Sequence, residues 1–282
     1  SSHALVLGRV DHIDYKIAVF TNLTQDHLDY HHSMQEYEQA KLQLFDQIKR
    51  GGYALINMDD KYGKDFVFES NKNILIGKNN CDYNIEDIVL SDDHSTFKVT
   101  NDSSSDFVTL PLPGLYNIYN YMNAYIICDK LGFEIPNIIE QTLKLEAPLG
   151  RYQVIKNDNI SVIIDYAHTP DAVFNVIKSV REYAKGRVVT LIGCGGDRDK
   201  TKRPIMGQIA TENSDYVFFT SDNPRTEDPT EILKDITRGL NKTNYEVIED
   251  RAEAIKKAIK SLDEWDTLLV LGKGHEDYQI IG

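Results

Sequence analysis

Two guanidinium side chains and one carboxylate, Arg198, Arg225 and Glu276, stand in short polar loops that each follow an apolar run. An arginine fork binds a carboxylate through two parallel hydrogen bonds. A glutamate beside it can pair with an ammonium. Together the three suit a zwitterionic amino acid. The run Gly193-Cys194-Gly195-Gly196-Asp197-Arg198-Asp199-Lys200 can turn tightly and expose backbone N–H groups to an anion. It fits neither the G-x-x-x-x-G-K-[ST] phosphate loop nor a full G-x-G-x-x-G fingerprint, and a tight strand-to-helix turn accounts for it equally well. In Asp222-Asn223-Pro224-Arg225 the proline fixes the backbone before a potential carboxylate clamp; an Asx-Pro turn with a solvated arginine is the plainer alternative. Gly272-Lys273-Gly274-His275-Glu276 allows close backbone approach, and it also reads as a turn.

A second group of reactive types lies near the start. Thr24, Asp26, His27, Asp29, His31 and His32 follow a strand-like run, a position where phosphate and metal ligands gather. Lys41 then shares a helix face with Tyr37, Leu44 and Phe45. A lysine on an apolar face must snorkel its ammonium to water or be modified. The histidines also read as a solvated loop.

These residues need elements to position them. Residues 16–22 read as a buried strand, and Ser33 with Glu36 forms a capping box for a helix carrying Tyr37, Lys41, Leu44, Phe45 and Ile48. Strands are expected at 53–57 and 74–76, and a meander or hairpin over 90–110. A helix over 117–131 is closed by Gly132, and Pro136 opens the next. From about residue 150 strands at 161–165, 187–192, 215–219, 245–248 and 267–271 alternate with helices at 171–184, 203–212, 229–240 and 251–261. That alternation predicts an α/β fold with a doubly wound sheet, whose functional loops lie past the carboxyl ends of its strands. The break near Glu146-Ala147-Pro148-Leu149-Gly150 divides two domains, 1–147 and 148–282.

Composition narrows the function. A formal net charge of −13 argues against a duplex nucleic-acid partner. The longest apolar runs, such as Leu268–Leu271, are strand-sized, so no membrane span is expected. Cys81, Cys128 and Cys194 are far apart, fitting a reducing cytoplasm rather than a disulfide framework. The chain opens on Ser1-Ser2-His3 and stops at Tyr278–Gly282 inside a strand-like run, so it reads as an internal fragment.

Seven blocks, in one order, resemble the Mur ligase family. They are S-S-H-A-L-x-x-G-R-V (1–10), F-T-N-L-T-Q-D-H-L-D-Y-H (20–31), Y-E-Q-A-K-L-Q-L-F (37–45), D-Y-A-H-T-P-D-A (165–172), G-C-G-G-D-R-D-K (193–200), D-N-P-R-T-E-D-P (222–229) and G-K-G-H-E-D-Y-Q (272–279). The resemblance implies the later part of a P-loop-type central ATPase domain followed by a Rossmann-like C-terminal domain. It implies ATP-dependent amide-bond formation on a UDP-N-acetylmuramoyl dipeptide through an acyl phosphate, by a cytoplasmic monomer using ATP and Mg²⁺. By position, Ser1 and Arg9 would hold the acidic end of the nucleotide substrate, and His27 would ligate magnesium. Lys41 matches a lysine that becomes carbamylated, Asn120 an adenine reader, and Arg151 and Asp165 the contacts to phosphate and ribose. Arg198, Asp222, Asn223, Pro224, Arg225, Gly272 and Glu276 match the amino-acid pocket. The D-N-P-R run resembles the version that takes meso-diaminopimelate, whose second carboxylate Arg225 would clamp. The family's phosphate loop and the glutamate ahead of S-S-H would lie upstream of Ser1, so the chain alone is expected to be inactive. Sister ligases of the lysine-adding, cyanophycin or folylpolyglutamate type are the near alternatives, and a nucleotide-binding oxidoreductase the distant one.

Overall fold

A computed structural model of the chain describes residues 1–280. They form two compact units. The first contains Ser1–Val89, His94–Pro111 and Leu115–Leu145; the second contains Leu90–Asp93, Leu112–Gly114 and the chain from Glu146 onward.

In the first unit a short helix, α1 (Ser2–Val6), leads to β1 (Tyr15–Phe20), α2 (Leu28–His31), α3 (Met34–Asp46) and β2 (Ile48–Asn57). A 3-10 turn (Gly63–Phe66), β3 (Lys72–Gly77), β4 (Tyr83–Leu90), β5 (Ser95–Thr100) and β6 (Ser105–Leu110) follow, then α4 (Leu115–Lys130) and α5 (Ile135–Thr142). The six strands lie in chain order. β1, β2, β3 and β4 pair in parallel, whereas β5 and β6 form the antiparallel hairpin expected from the weak alternation over 90–110. The core against α3 comes from alternate strand residues, Ala18 and Phe20 of β1 with Ala54 and Ile56 of β2, joined by Tyr37, Phe45 and Phe66. Ser33 caps α3 as its sequence predicts, its hydroxyl accepting from the Glu36 N–H at 3.1 Å. Gly132, at φ +92°, closes α4, and the Phe133 N–H reaches back to the Cys128 carbonyl at 3.1 Å.

The second unit runs β7 (Gln153–Asn157), β8 (Ile160–Asp165), α6 (Pro170–Arg181), β9 (Val188–Ile192), α7 (Lys202–Asn213) and β10 (Tyr216–Phe219). It continues through α8 (Pro229–Thr237), β11 (Tyr245–Val247), α9 (Arg251–Lys260) and β12 (Thr267–Leu271). The strand order is β11-β10-β9-β12-β8-β7, parallel except for β7 against β8. Helix α6 packs on α7 and α7 on α8, while α9 packs against β9, β10 and β12. Crossovers through α6, α7 and α8, which pack on one another, carry the chain outward from β8 to β11. A return through α9 brings it back to β12. This is the expected doubly wound α/β sheet. Every residue of β9 is buried, as a parallel strand covered on both faces requires.

Three readings change. The helix with Lys41 stops at Asp46, and Ile48 begins β2 instead of extending the helix face. The polar loop after β1 contains the short α2, flanked by His27 at φ +56° and His32 at φ +59°. Tyr278, Gln279 and Ile280 have no strand pairing, and the remaining residues of the strand-like end, 281 and 282, lie outside the described residues. Among the described residues no helix is long and apolar enough to cross a membrane, and all three cysteines are free thiols.

Candidate active site

In the second unit the charged loops gather at the carboxyl ends of β8, β9, β10 and β12. Because β12 inserts between β8 and β9, the loops after these strands become neighbours at the point where the winding reverses. The D-N-P-R loop after β10 joins them. The Asn223 side-chain amide donates to Glu276 Oε2 at 2.8 Å, while the Asn223 backbone carbonyl lies 3.4 Å from an Arg225 nitrogen. That Arg225 nitrogen also donates to the Gly196 carbonyl at 2.7 Å. A Cβ on Gly195 would sit 2.9 Å from the Arg225 guanidinium and 4.0 Å from the Arg198 side chain. Arg198, exposed, donates to the Asp197 carbonyl at 2.9 Å. The three predicted groups therefore border one rim, with Asn223 touching both Arg225 and Glu276.

Two backbone features make that rim possible. A Cβ on Gly196 would stand 1.9 Å from the Pro224 carbonyl oxygen, so only glycine lets the two loops meet. Gly272, at φ +103°, leaves room for Asp222, whose carboxylate a Cβ would approach to 2.7 Å. Glu276 also accepts from the Tyr166 hydroxyl at 3.1 Å and lies 3.5 Å from the Lys273 ammonium. Burial works against its charge, but the hydrogen bonds from Tyr166 and Asn223 and the nearby Lys273 outweigh it and hold the carboxyl below the usual range. Arg151 lies over the Tyr166 ring, its guanidinium carbon 4.4 Å from the centroid. Asp165 is buried, and its two oxygens accept from the Tyr152 and Ala167 N–H groups at 2.8 and 2.7 Å. These bonds fix the turn after β8.

The first unit assembles a different set. Three histidine rings cluster, with His3 5.0 Å from His27 and 5.6 Å from His31. His31 stacks on Tyr37 at 4.9 Å, and its Nε2 meets the Ser2 hydroxyl at 2.9 Å. Burial, reinforced by His3 and His27, lowers the His31 pKa despite Glu36. Helix α3 places Lys41 one turn after Tyr37, with its ammonium 4.9 Å from the ring centroid. Burial pushes the Lys41 pKa down, against the attraction of Asp26 and Asp60. Burial and Asp26 push the Tyr37 phenol up to about 12. His27 lies 3.4 Å from Asp26 through Nε2. Ser1 caps α1, its hydroxyl accepting from the Ala4 N–H at 3.3 Å. Arg9 and Asn120 are exposed.

Sequence reasoning passed over several participants. His3, Ser2, Asp60, Tyr166 and Lys273 touch or act on the predicted residues, and Arg203 with Glu227 sits behind the arginine loops. Arg203 carried one signal: a cation in the first turn of α7 opposes the helix dipole and so asks for a partner. Its partners are 24 and 32 residues away in sequence, which no local pattern reveals.

Comparison with known proteins matches two parts of the chain to two family models. Residues 1–128 match the Mur ligase middle domain, and residues 150–274 match the Mur ligase glutamate ligase domain. A relative from Clostridium botulinum, named UDP-N-acetylmuramoyl-L-alanyl-D-glutamate–2,6-diaminopimelate ligase, is 43% identical over 286 residues, covering 100% of this chain and 59% of the relative. One of the same name from Bacillus cereus is 44% identical over 291 residues, with 100% and 59% covered. The chain thus spans about three fifths of the length of these relatives. A solved structure of a ligase of that name superposes with a TM-score of 0.64 at 37% identity, covering 100% of this chain and 59% of that one. A Thermotoga maritima MurF ligase in complex with ADP superposes with a TM-score of 0.76 at 16% identity, over 94% of this chain and 60% of that one, a likeness of fold. With its two matched domains together spanning most of its length, the chain belongs to the Mur ligase family.

Proposed function

We propose that the complete protein is an ATP-dependent, ADP-forming ligase that joins meso-2,6-diaminopimelate to UDP-N-acetylmuramoyl-L-alanyl-D-glutamate in the cytoplasm, acting as a monomer. The observation that carries this reading is the shared rim of Arg225 and Glu276, both held by Asn223. Lysine offers one carboxylate, whereas diaminopimelate offers a second, and Arg225 with Arg198 supplies forks to receive it. Glu276, kept ionised, would pair with an ammonium of the same molecule. Asp222, Asn223, Pro224 and Gly272 would form the pocket wall, with Lys273 balancing the acids.

The reaction transfers the γ-phosphoryl group of ATP to a carboxylate of the dipeptide. An amine of the incoming amino acid then attacks the acyl carbon, phosphate leaves, and the amine gives up a proton. In this reading residues 1–147 are the later part of the central ATP-binding domain and 148–282 the amino-acid-binding domain. Asn120 would read adenine, Asp165 and Arg151 would meet ribose and phosphate, and Ser1 and Arg9 would hold the acidic end of the nucleotide substrate. Arg151 would offset charge as the phosphoryl group moves.

The donor set can be tested for magnesium. Among the described residues no three His, Cys, Asp or Glu side chains gather as metal ligands, and a cationic Lys41 repels an ion. Burial, however, favours the neutral amine. That amine can add carbon dioxide, losing a proton and becoming an anionic carbamate. His27 and carbamylated Lys41 would then hold Mg²⁺, whose chemistry is to neutralise phosphoryl oxygens.

The test is phosphate release by the complete protein with ATP, the UDP-linked dipeptide and single amino acids. Release with meso-diaminopimelate well above that with lysine or glutamate is expected. Equal release with lysine would replace this reading by that of a lysine-adding sister ligase.

A further inference from the structure

The side chain of Arg203 is 1% exposed, and it lies beneath both arginine-bearing loops rather than on their rim. Its two terminal nitrogens reach Glu227 at 2.9 and 3.1 Å, Asp235 at 3.1 Å and the Gly195 carbonyl at 3.3 Å. Its Nε, also buried, has no hydrogen-bond partner among the described residues. Burial and the N-terminal end of α7 both oppose a cation here. The charge is held against those penalties by two carboxylates.

What the clamp fixes is the spacing between the loops. Glu227 accepts from the Asp197 N–H at 2.6 Å and pairs with Lys200 at 2.8 Å. Asp197 in turn accepts from the Thr226 hydroxyl at 2.8 Å and the Thr226 N–H at 3.2 Å. The Gly196 N–H donates to the Asn223 carbonyl at 2.9 Å, and Gly196 offers its own carbonyl to Arg225. Arg198 rides on the first loop and Arg225 on the second. Moving either loop moves one guanidinium relative to the other.

We propose that Arg203 is a positioning residue that sets the separation of Arg198 and Arg225, and thereby the preference for an amino acid with two carboxylates over one with a single carboxylate. This rests on the diaminopimelate reading above and deepens it. A distal carboxylate on a chain of fixed length must meet its fork within a fraction of an ångström, since small misplacements are costly. Lysine has no distal carboxylate, so it does not sense where Arg225 stands. Loosening the clamp therefore penalises the diacid selectively.

The experiment compares the complete wild-type protein with Arg203→Lys and Glu227→Gln, measuring KM and kcat for each substrate and the melting temperature. Both variants are expected to raise the KM for meso-diaminopimelate by roughly tenfold or more, to leave the KM values for ATP and the UDP-linked dipeptide unchanged, and to lower the diaminopimelate-to-lysine ratio of kcat/KM. If Arg203→Lys does not fold, Glu227→Gln, which keeps the cation and removes its partner's charge, gives the same two readings. An unchanged ratio, or KM values that rise together in step with a lost melting temperature, overturns the inference. A wild-type protein without preference for the diacid overturns the reading beneath it, a separate and recognisable result.

Discussion

The two clusters of chemistry in this chain are built on opposite plans. In the second unit the charged groups are already tied to one another: Arg225 to two backbone carbonyls, Glu276 to Tyr166, Asn223 and Lys273, and Arg203 to two carboxylates. In the first unit Lys41 is half-buried against Tyr37, with its cationic form disfavoured by burial. A recognition pocket gains from having its side chains fixed before the ligand arrives, because less ordering remains to be done on binding. A residue meant for modification or reaction gains from the reverse, an environment that makes its resting charge uncomfortable. Under the proposed function the first cluster would serve as the reactive site and the second as the recognition site.

The sharpest way to break that contrast is at Lys41. Replacement by methionine should reduce turnover of the complete protein by roughly 10²–10³-fold, the range for losing one preorganised charge at a phosphoryl centre. It should cost little stability, because burial already works against the ammonium at that position. Steady-state kinetics beside urea denaturation checks both halves. A Lys41→Met protein that unfolds at lower urea while keeping its turnover would make Lys41 an ordinary snorkelling lysine.

Next in size is Arg225. Its guanidinium donates to the Gly196 carbonyl, so Arg225→Ala removes both that bond and the proposed clamp on a carboxylate. The expected cost is roughly 10–100-fold in KM for meso-diaminopimelate, in keeping with about 1.5–3 kcal/mol for a charged hydrogen-bonded contact, with little change in KM for ATP. An unchanged KM for the diacid would remove the assignment.

Smaller again is an acid effect confined to the second unit. The Arg203 hydrogen bond, aided by Lys200 and the Asp197 N–H, draws the Glu227 carboxyl from 4.5 down to about 2. A depressed carboxyl stabilises the fold fully above its unfolded value, and that contribution disappears as the pH falls through about 4.5 towards 2. Roughly 2 kcal/mol of stability should be lost over that window. The protein's one tryptophan, Trp265, lies in the second unit and can report it by fluorescence. Glu227→Gln should flatten this part of the profile. A Glu227→Gln protein with the wild-type acid profile would place the acid sensitivity elsewhere.

These contrasts also show what a sequence can display. Arg198, Arg225 and Glu276 were visible because each follows an apolar strand, and a doubly wound sheet brings such loops to one edge. The clamp behind them was not, since Arg203, Glu227 and Asp235 meet only after α7 and α8 have packed together. Lys41 stood out because its spacing put it on an apolar face, yet Asp60, which acts on its charge, comes from the loop after β2. Ile48 was misassigned because helical spacing continues through it, although the Gln47 cap has already ended α3. Strand β4 was missed because Tyr83–Leu90 mixes acidic and apolar residues on its two faces, and β7 because Gln153–Asn157 is an edge strand with little buried surface.

The smallest expected effect tests whether the first cluster depends on the local start of α3. Ser33 has extended backbone, φ −150° and ψ 158°, and its hydroxyl satisfies the Glu36 N–H, one of the donors a helix start leaves unpaired. Ser33→Ala should destabilise the first unit by about 1 kcal/mol, and Ser33→Gly by only a few tenths. Hydrogen exchange along α3 should quicken, while Trp265 fluorescence, which reports the second unit, should keep its denaturation midpoint. Because Tyr37 and Lys41 lie on the two turns that follow the cap, turnover should fall modestly with the frayed fraction, and the KM for the amino acid should stay fixed. A change in that KM alone would mean that the two clusters are not separable in function.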